Sequence, residues 1–199
     1  MSATTVTGVL VRQAHLIWIV SIVNVALGFF ISGFNPFAQS ISAVGLQAPP
    51  FAYTHRVADI VIGVSMCAFG IGLLLRSRMK AVFSMVAIGL LGASFVSAGI
   101  WTMKSPLHLL YNLSIYLVLV PVVCALELKE IIGSRRFEVF CLAASFIHVF
   151  MFWCIYAGFI PREFDGLVQR IWTIVVMGWF GVAAHVVWRT LTPRVQANS

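Results

Sequence analysis

Two histidines and two carboxylates stand at spacings that suit chemistry. In "YTHRVAD", His55 and Asp59 are four apart and share one helix face; in "KSPLHLLYN", His108 and Asn112 repeat that spacing. In "FDGLVQR", Asp165 precedes Gln169 and Arg170 by one turn. An imidazole beside a carboxylate can hold and pass a proton, so His55, Asp59, His108 and Asp165 are the catalytic candidates. His55, Asp59 and His108 are also permissible zinc ligands, although this spacing arises readily without a metal. His15 and His185, near the inner ends of the first and last apolar blocks and so in one leaflet, are the corresponding candidates for axial haem ligands. No diagnostic motif surrounds either set, so neither zinc nor haem is favoured and no cofactor is expected.

These side chains must be held by apolar elements. The chain has 199 residues, 61% of them hydrophobic and 10% charged. Its mean hydropathy is +1.00, far beyond what a soluble core of this size requires. A helix needs about 20 apolar residues to cross roughly 30 Å of hydrocarbon. Blocks of that kind run approximately 13–33, 57–75, 81–101, 107–126, 137–160 and 167–188. The expected fold is therefore all-α, a six-helix transmembrane bundle forming a single integral membrane domain over residues 1–199. The first block lacks a small-x-small cleavage site and reads as a retained helix rather than a signal peptide. Gly89, Ala93 and Ser97 form a small-residue stripe on the third helix, and Gly178 and Gly181 thin the sixth, as close helix packing would require. Cys67, Cys124, Cys141 and Cys154 all fall within helices without a CxxC pair, which suggests apolar packing rather than a disulfide framework.

The net charge of +7 follows the helix ends rather than forming a nucleic-acid patch. Nine basic residues, from Arg12 through Arg76, Arg78, Lys80, Lys129, Arg135, Arg136 and Arg189 to Arg194, fall on one side. Arg56, Lys104, Arg162 and Arg170 fall on the other, which predicts cytoplasmic N and C termini. Residues 34–56 then form a long external loop without an acidic residue, expected to fold back as a lid. Its Gln39, Ser40 and Ser42 are placed to contact helix ends, while Gly45, Pro49 and Pro50 set its turns.

The even-numbered helices all begin on that side, with Thr54, Ser105 and Asp165 as expected caps. Their N-termini, joined by basic side chains, favour an anion. Arg56, Lys104, Asn112, Gln169 and Arg170 are the ligand-binding candidates. Asp59 and Arg170 lie at similar depth with opposite sign, as either a structural ion pair or part of a polar pocket.

The stretches "NPFAQSISAVGL", "LHLLYNLSIYL" and "FDGLVQRIW" resemble landmarks of a bacterial and archaeal family of six-helix membrane proteins known as a domain of unknown function. That resemblance implies the six-helix fold and an outer face built from the loop, His108 and the Asp165 to Arg170 corner. "ISAVGLQAPP" is similar, more distantly, to a loop of a eukaryotic six-helix family associated with autophagy and lipid-anchor remodelling. The expected function is a binding or accessory protein of the cell membrane, the inner membrane if bacterial, whose outer-leaflet pocket holds an anionic lipid headgroup or small ligand. Membrane lipids and other membrane-protein subunits are the expected partners, and nucleic acid is not one. The alternative is a membrane-embedded hydrolase or lipid-modifying enzyme acting at the external face.

Overall fold

In a computed structural model the chain is described over residues 3–108 and 116–191, and among these residues it is all-helical, without strands. Seven α-helices follow in order: α1 (Ala3–Arg12), α2 (His15–Leu27), α3 (Phe51–Arg76), α4 (Val82–Ile100), α5 (Tyr116–Ile132), α6 (Arg135–Tyr156) and α7 (Asp165–Leu191). Five segments are long and apolar enough to cross a membrane: Val6–Phe30, Phe51–Arg76, Val82–Ile100, Arg135–Ile155 and Arg162–Leu191. The expected block at 107–126 falls partly outside the described residues; α5 covers its second part and continues to Ile132.

Several helices run past the apolar blocks because their polar residues find partners inside the protein. The first membrane segment includes most of α1, joined to α2 through a bend at Gln13 and Ala14. Gln13 Nε2 donates to the Leu10 and Ser65 carbonyls, and the Arg12 guanidinium lies 5.4 Å from the centre of the Trp188 ring. At its other end this segment narrows to a 3₁₀ turn, Gly28–Phe30. Helix α3 starts at Phe51, ahead of the block that begins at Val57, so His55 and Arg56 sit in its first turns. Thr54, expected as its cap, lies inside the helix, and its hydroxyl donates to the Pro50 carbonyl. Arg56 donates from Nε to Gly99 O at 2.9 Å and from Nη2 to Ile100 O at 2.8 Å, supplying the last carbonyls of α4 with donors. At the opposite end of α4, Glu127 accepts from the backbone N–H groups of Phe83 and Ser84 and from the Ser84 hydroxyl. Helix α6 ends where Gly158 adopts φ 72°, with Phe159 N donating to Cys154 O and Gly158 N to Ile155 O, a Schellman closure that favours glycine.

The core draws on all seven helices, from Val11 of α1 to Val187 of α7, with Phe69 and Phe180 meeting edge to face at 6.1 Å. Helices α3 and α4 approach most closely through Gly63 and Gly92. A Cβ on Gly63 would collide with the Gly92 carbonyl, and one on Gly92 would lie 2.6 Å from the Gly63 carbonyl. Contact this close between backbones suits helices in lipid, where association rests on van der Waals packing. The packing face of α4 therefore differs from the expected stripe: Ala93 is exposed and a Cβ on Gly89 would meet nothing. Of the two glycines expected to thin the last helix, Gly181 packs against Trp18, whereas Gly178 faces open space.

Candidate functional site

A cavity of about 390 Å³ lies between α2, α3, α6 and α7, beneath residues 38–42 of the segment that follows the first span. Its polar wall comes from Asn24 of α2 and His55 and Asp59 of α3, all buried. His55 Nδ1 lies 2.7 Å from Asn24 Oδ1, Asn24 Nδ2 donates to Asp59 Oδ1 at 2.9 Å, and His55 Nε2 lies 3.4 Å from Asp59 Oδ2. The three side chains close a ring of contacts. Both ring nitrogens of His55 are thus engaged, and the Asp59 carboxylate is met by Asn24 on one oxygen and by the imidazole on the other. That arrangement lets two ionisable groups sit together inside a membrane segment.

The roof is held by hydrogen bonds that explain the composition of this loop. Ile41 N–H donates to Gln169 Oε1 at 2.8 Å, and Phe37 O accepts from Leu167 N–H at 2.8 Å. Arg170 Nη1 donates to Pro36 O and Gln39 O, each at 2.7 Å, and to Gly166 O at 2.9 Å. Its guanidinium also lies 5.9 Å from the Phe29 ring centre and 5.8 Å from that of Phe34, while Nε and Nη2 have no hydrogen-bond partner among the described residues. A Cβ on Gly166 would strike the carbonyls of Gln39 and Pro36, so α7 can pass under the loop only with glycine there. The loop thus presents backbone carbonyls, rather than carboxylates, to the α7 N-terminus and to Arg170. Val44 is fully buried, and a Cβ on Gly45 would lie 3.0 Å from His55 Cδ2, which seats the roof against the triad.

The remaining walls combine apolar and polar groups. Phe152 and Ile155 come from α6, and Asp165, Gln169, Trp172 and Thr173 from α7. The Trp172 indole N–H donates to His148 Nδ1 at 3.1 Å, and its ring meets Phe152 edge to face at 5.9 Å, so this aromatic wall is fixed in orientation. Ser21, Ser40 and Ser42 add hydroxyls.

The structure gathers His55, Asp59, Asp165 and Gln169 around one cavity, and the other described candidates do not line it. His108 Nδ1 contacts the Trp101 carbonyl at 2.8 Å, at the end of α4. Arg56 is bound to the α4 carbonyls, Lys104 is exposed in the link beyond α4, and Asn112 lies outside the described residues. Asp59 is held by Asn24 and His55 and Arg170 by loop carbonyls, without an ion pair between them. His15 accepts from the Trp18 indole N–H, and His185 is exposed. Among the described residues, no three His, Cys, Asp or Glu side chains are grouped so as to hold a metal ion. Asn24 is the site residue that sequence reading overlooked; a lone carboxamide inside an apolar block was its available signal.

Long apolar helices around a buried polar cavity define a multi-pass, all-helical membrane protein. The chain belongs to the family described as protein of unknown function (DUF998), which matches residues 14–186. No curated protein and no solved structure matches it.

Proposed function

We propose that this protein binds a small amphiphilic ligand in the cavity under the loop, as a six-helix membrane protein with cytoplasmic termini and the cavity toward the outer leaflet. The observation that carries this reading is the cavity itself. Its volume falls within the roughly 300–1,000 Å³ of small-molecule sites, and a hydrogen-bonded triad on one side faces apolar and aromatic residues on the other. The charge asymmetry of the loops supports the orientation, and the cavity is at the end bearing fewer basic residues.

Binding is favoured over hydrolysis by the use of the His55 ring. Nδ1 is engaged by Asn24 and Nε2 by Asp59, so neither nitrogen is turned toward a substrate. The same side chains can position a ligand's polar group without transferring its proton. An accessory role in a larger membrane assembly is compatible with such a site.

Native mass spectrometry of protein released from membranes, wild type beside Ser42→Trp, tests the reading. Ser42 is a half-buried loop residue on the cavity wall, and an indole there fills the space with little demand on the helices. One bound small molecule per chain in the wild type, lost in the variant, is the expected result. Equal occupancy in both would defeat the proposal.

A further inference from the structure

We infer that the cavity selects a cationic amine headgroup over a neutral or anionic one, an inference that rests on the binding role proposed above. The sequence suggests an anion site because basic residues and helix N-termini fall on one side. The folded chain uses those groups differently. Arg56 donates to Gly99 O and Ile100 O, and Arg170 donates to Pro36 O, Gln39 O and Gly166 O. Among the described residues no lysine or arginine lines the cavity. The first-turn N–H of Leu167 is likewise satisfied by the loop, through Phe37 O. An anion entering here would exchange its hydration for a wall with no free cationic side chain.

The ionisable groups that line the cavity carry the opposite bias. His55 and Asp59 face each other at 3.4 Å, which leaves Asp165 as the lining carboxylate with no cationic side chain against it among the described residues. Asp165 is exposed and has no ion pair among the described residues, so its carboxylate is free to meet an entering charge. The Arg170 charge is one turn farther along α7, but it is directed into the loop carbonyls and the Phe29 and Phe34 rings rather than into the cavity. The cavity is also lined by Trp172 and Phe152, aromatic rings of the kind that attract an ammonium, fixed in orientation by His148 and by each other. A carboxylate at the mouth with fixed aromatic walls behind it suits an alkylammonium group, and Ile62, Val176 and Met177 suit the hydrocarbon that follows.

The test uses the full chain in lipid nanodiscs and three ten-carbon probes below their aggregation concentrations: decyltrimethylammonium, decanol and decyl phosphate. Binding that disappears with Ser42→Trp is counted as cavity binding, which removes partition into the lipid. The ammonium probe is expected to bind about tenfold more tightly than decanol, and decyl phosphate most weakly. Asp165→Asn should shrink the preference for the ammonium probe over decanol to about twofold. Cavity binding of decanol or decyl phosphate as tight as that of the ammonium probe would overturn the charge preference while leaving the binding site intact. If none of the three shows binding sensitive to Ser42→Trp, the site itself is refuted and this inference falls with it.

Discussion

Asn24 is the residue on which the polar wall depends, because it bridges an imidazole and a carboxylate that come from one helix while it comes from another. Replacing it with Leu removes two hydrogen bonds in a buried site and should cost about 2 kcal/mol of stability in thermal unfolding of the purified protein. Asp59→Asn retains the shape and the hydrogen-bonding capacity of the ring, and its cost should remain below about 1 kcal/mol. Equal losses in the two variants would mean that the triad does not act as a unit. The His55–Asp59 half was legible in the sequence, since residues four apart on a helix must be neighbours. Asn24 was not, because a single polar residue in an apolar block carries no information about which helix it faces. The suggested pairing of Asp59 with Arg170 shows the same gap: depth in the membrane is readable from distance along the helix, but the direction each side chain takes around the bundle is not. Arg170 turned toward the loop, where carbonyls of Pro36 and Gln39 were waiting.

Helix packing rests on a few glycines whose neighbours can be named. Gly63→Ala or Gly92→Ala forces a methyl group against a backbone carbonyl, and each should destabilise by about 1–3 kcal/mol. Gly89→Ala and Gly178→Ala meet open space and should be neutral or slightly stabilising, by less than about 1 kcal/mol. Thermal unfolding of the four variants separates the true packing face of α4 from the one that residue spacing suggested. Spacing marks a stripe of small residues without telling whether a neighbour lies against it, so the bundle was legible and its contacts were not. The loop is testable at this scale as well. Gly166→Ala should lift it from α7 and Arg170→Ala should release its carbonyls, and hydrogen exchange over residues 36–45 should then accelerate by about tenfold or more. Exchange unchanged from wild type in both would show that the roof is held by something else. The anchoring of this segment through main-chain carbonyls follows from a tertiary encounter with α7, which its lack of charge does not reveal.

For the whole molecule, the proposed orientation and the proposed binding role make one claim: that the cavity roofed by the loop faces outward and takes up an amphiphile. Single cysteines placed at Lys104 and Arg162 should react with an impermeant thiol reagent in intact cells, and one at Arg78 only after the membrane is opened. The native thiols Cys67, Cys124, Cys141 and Cys154, buried or half-buried, set the background. The reverse pattern would invert the topology and turn the cavity toward the cytoplasm. The most direct test of the account is to photo-crosslink the full chain in membranes with a decylamine carrying a diazirine, and to map the attached label by mass spectrometry. Label concentrated on loop residues 38–42 and on the cavity face of α6 and α7, around Phe152, Trp172 and Thr173, and lost in Ser42→Trp, is the predicted result. Label confined to outward residues of α6 such as Phe146, Phe150 and Trp153, and indifferent to Ser42→Trp, would contradict it.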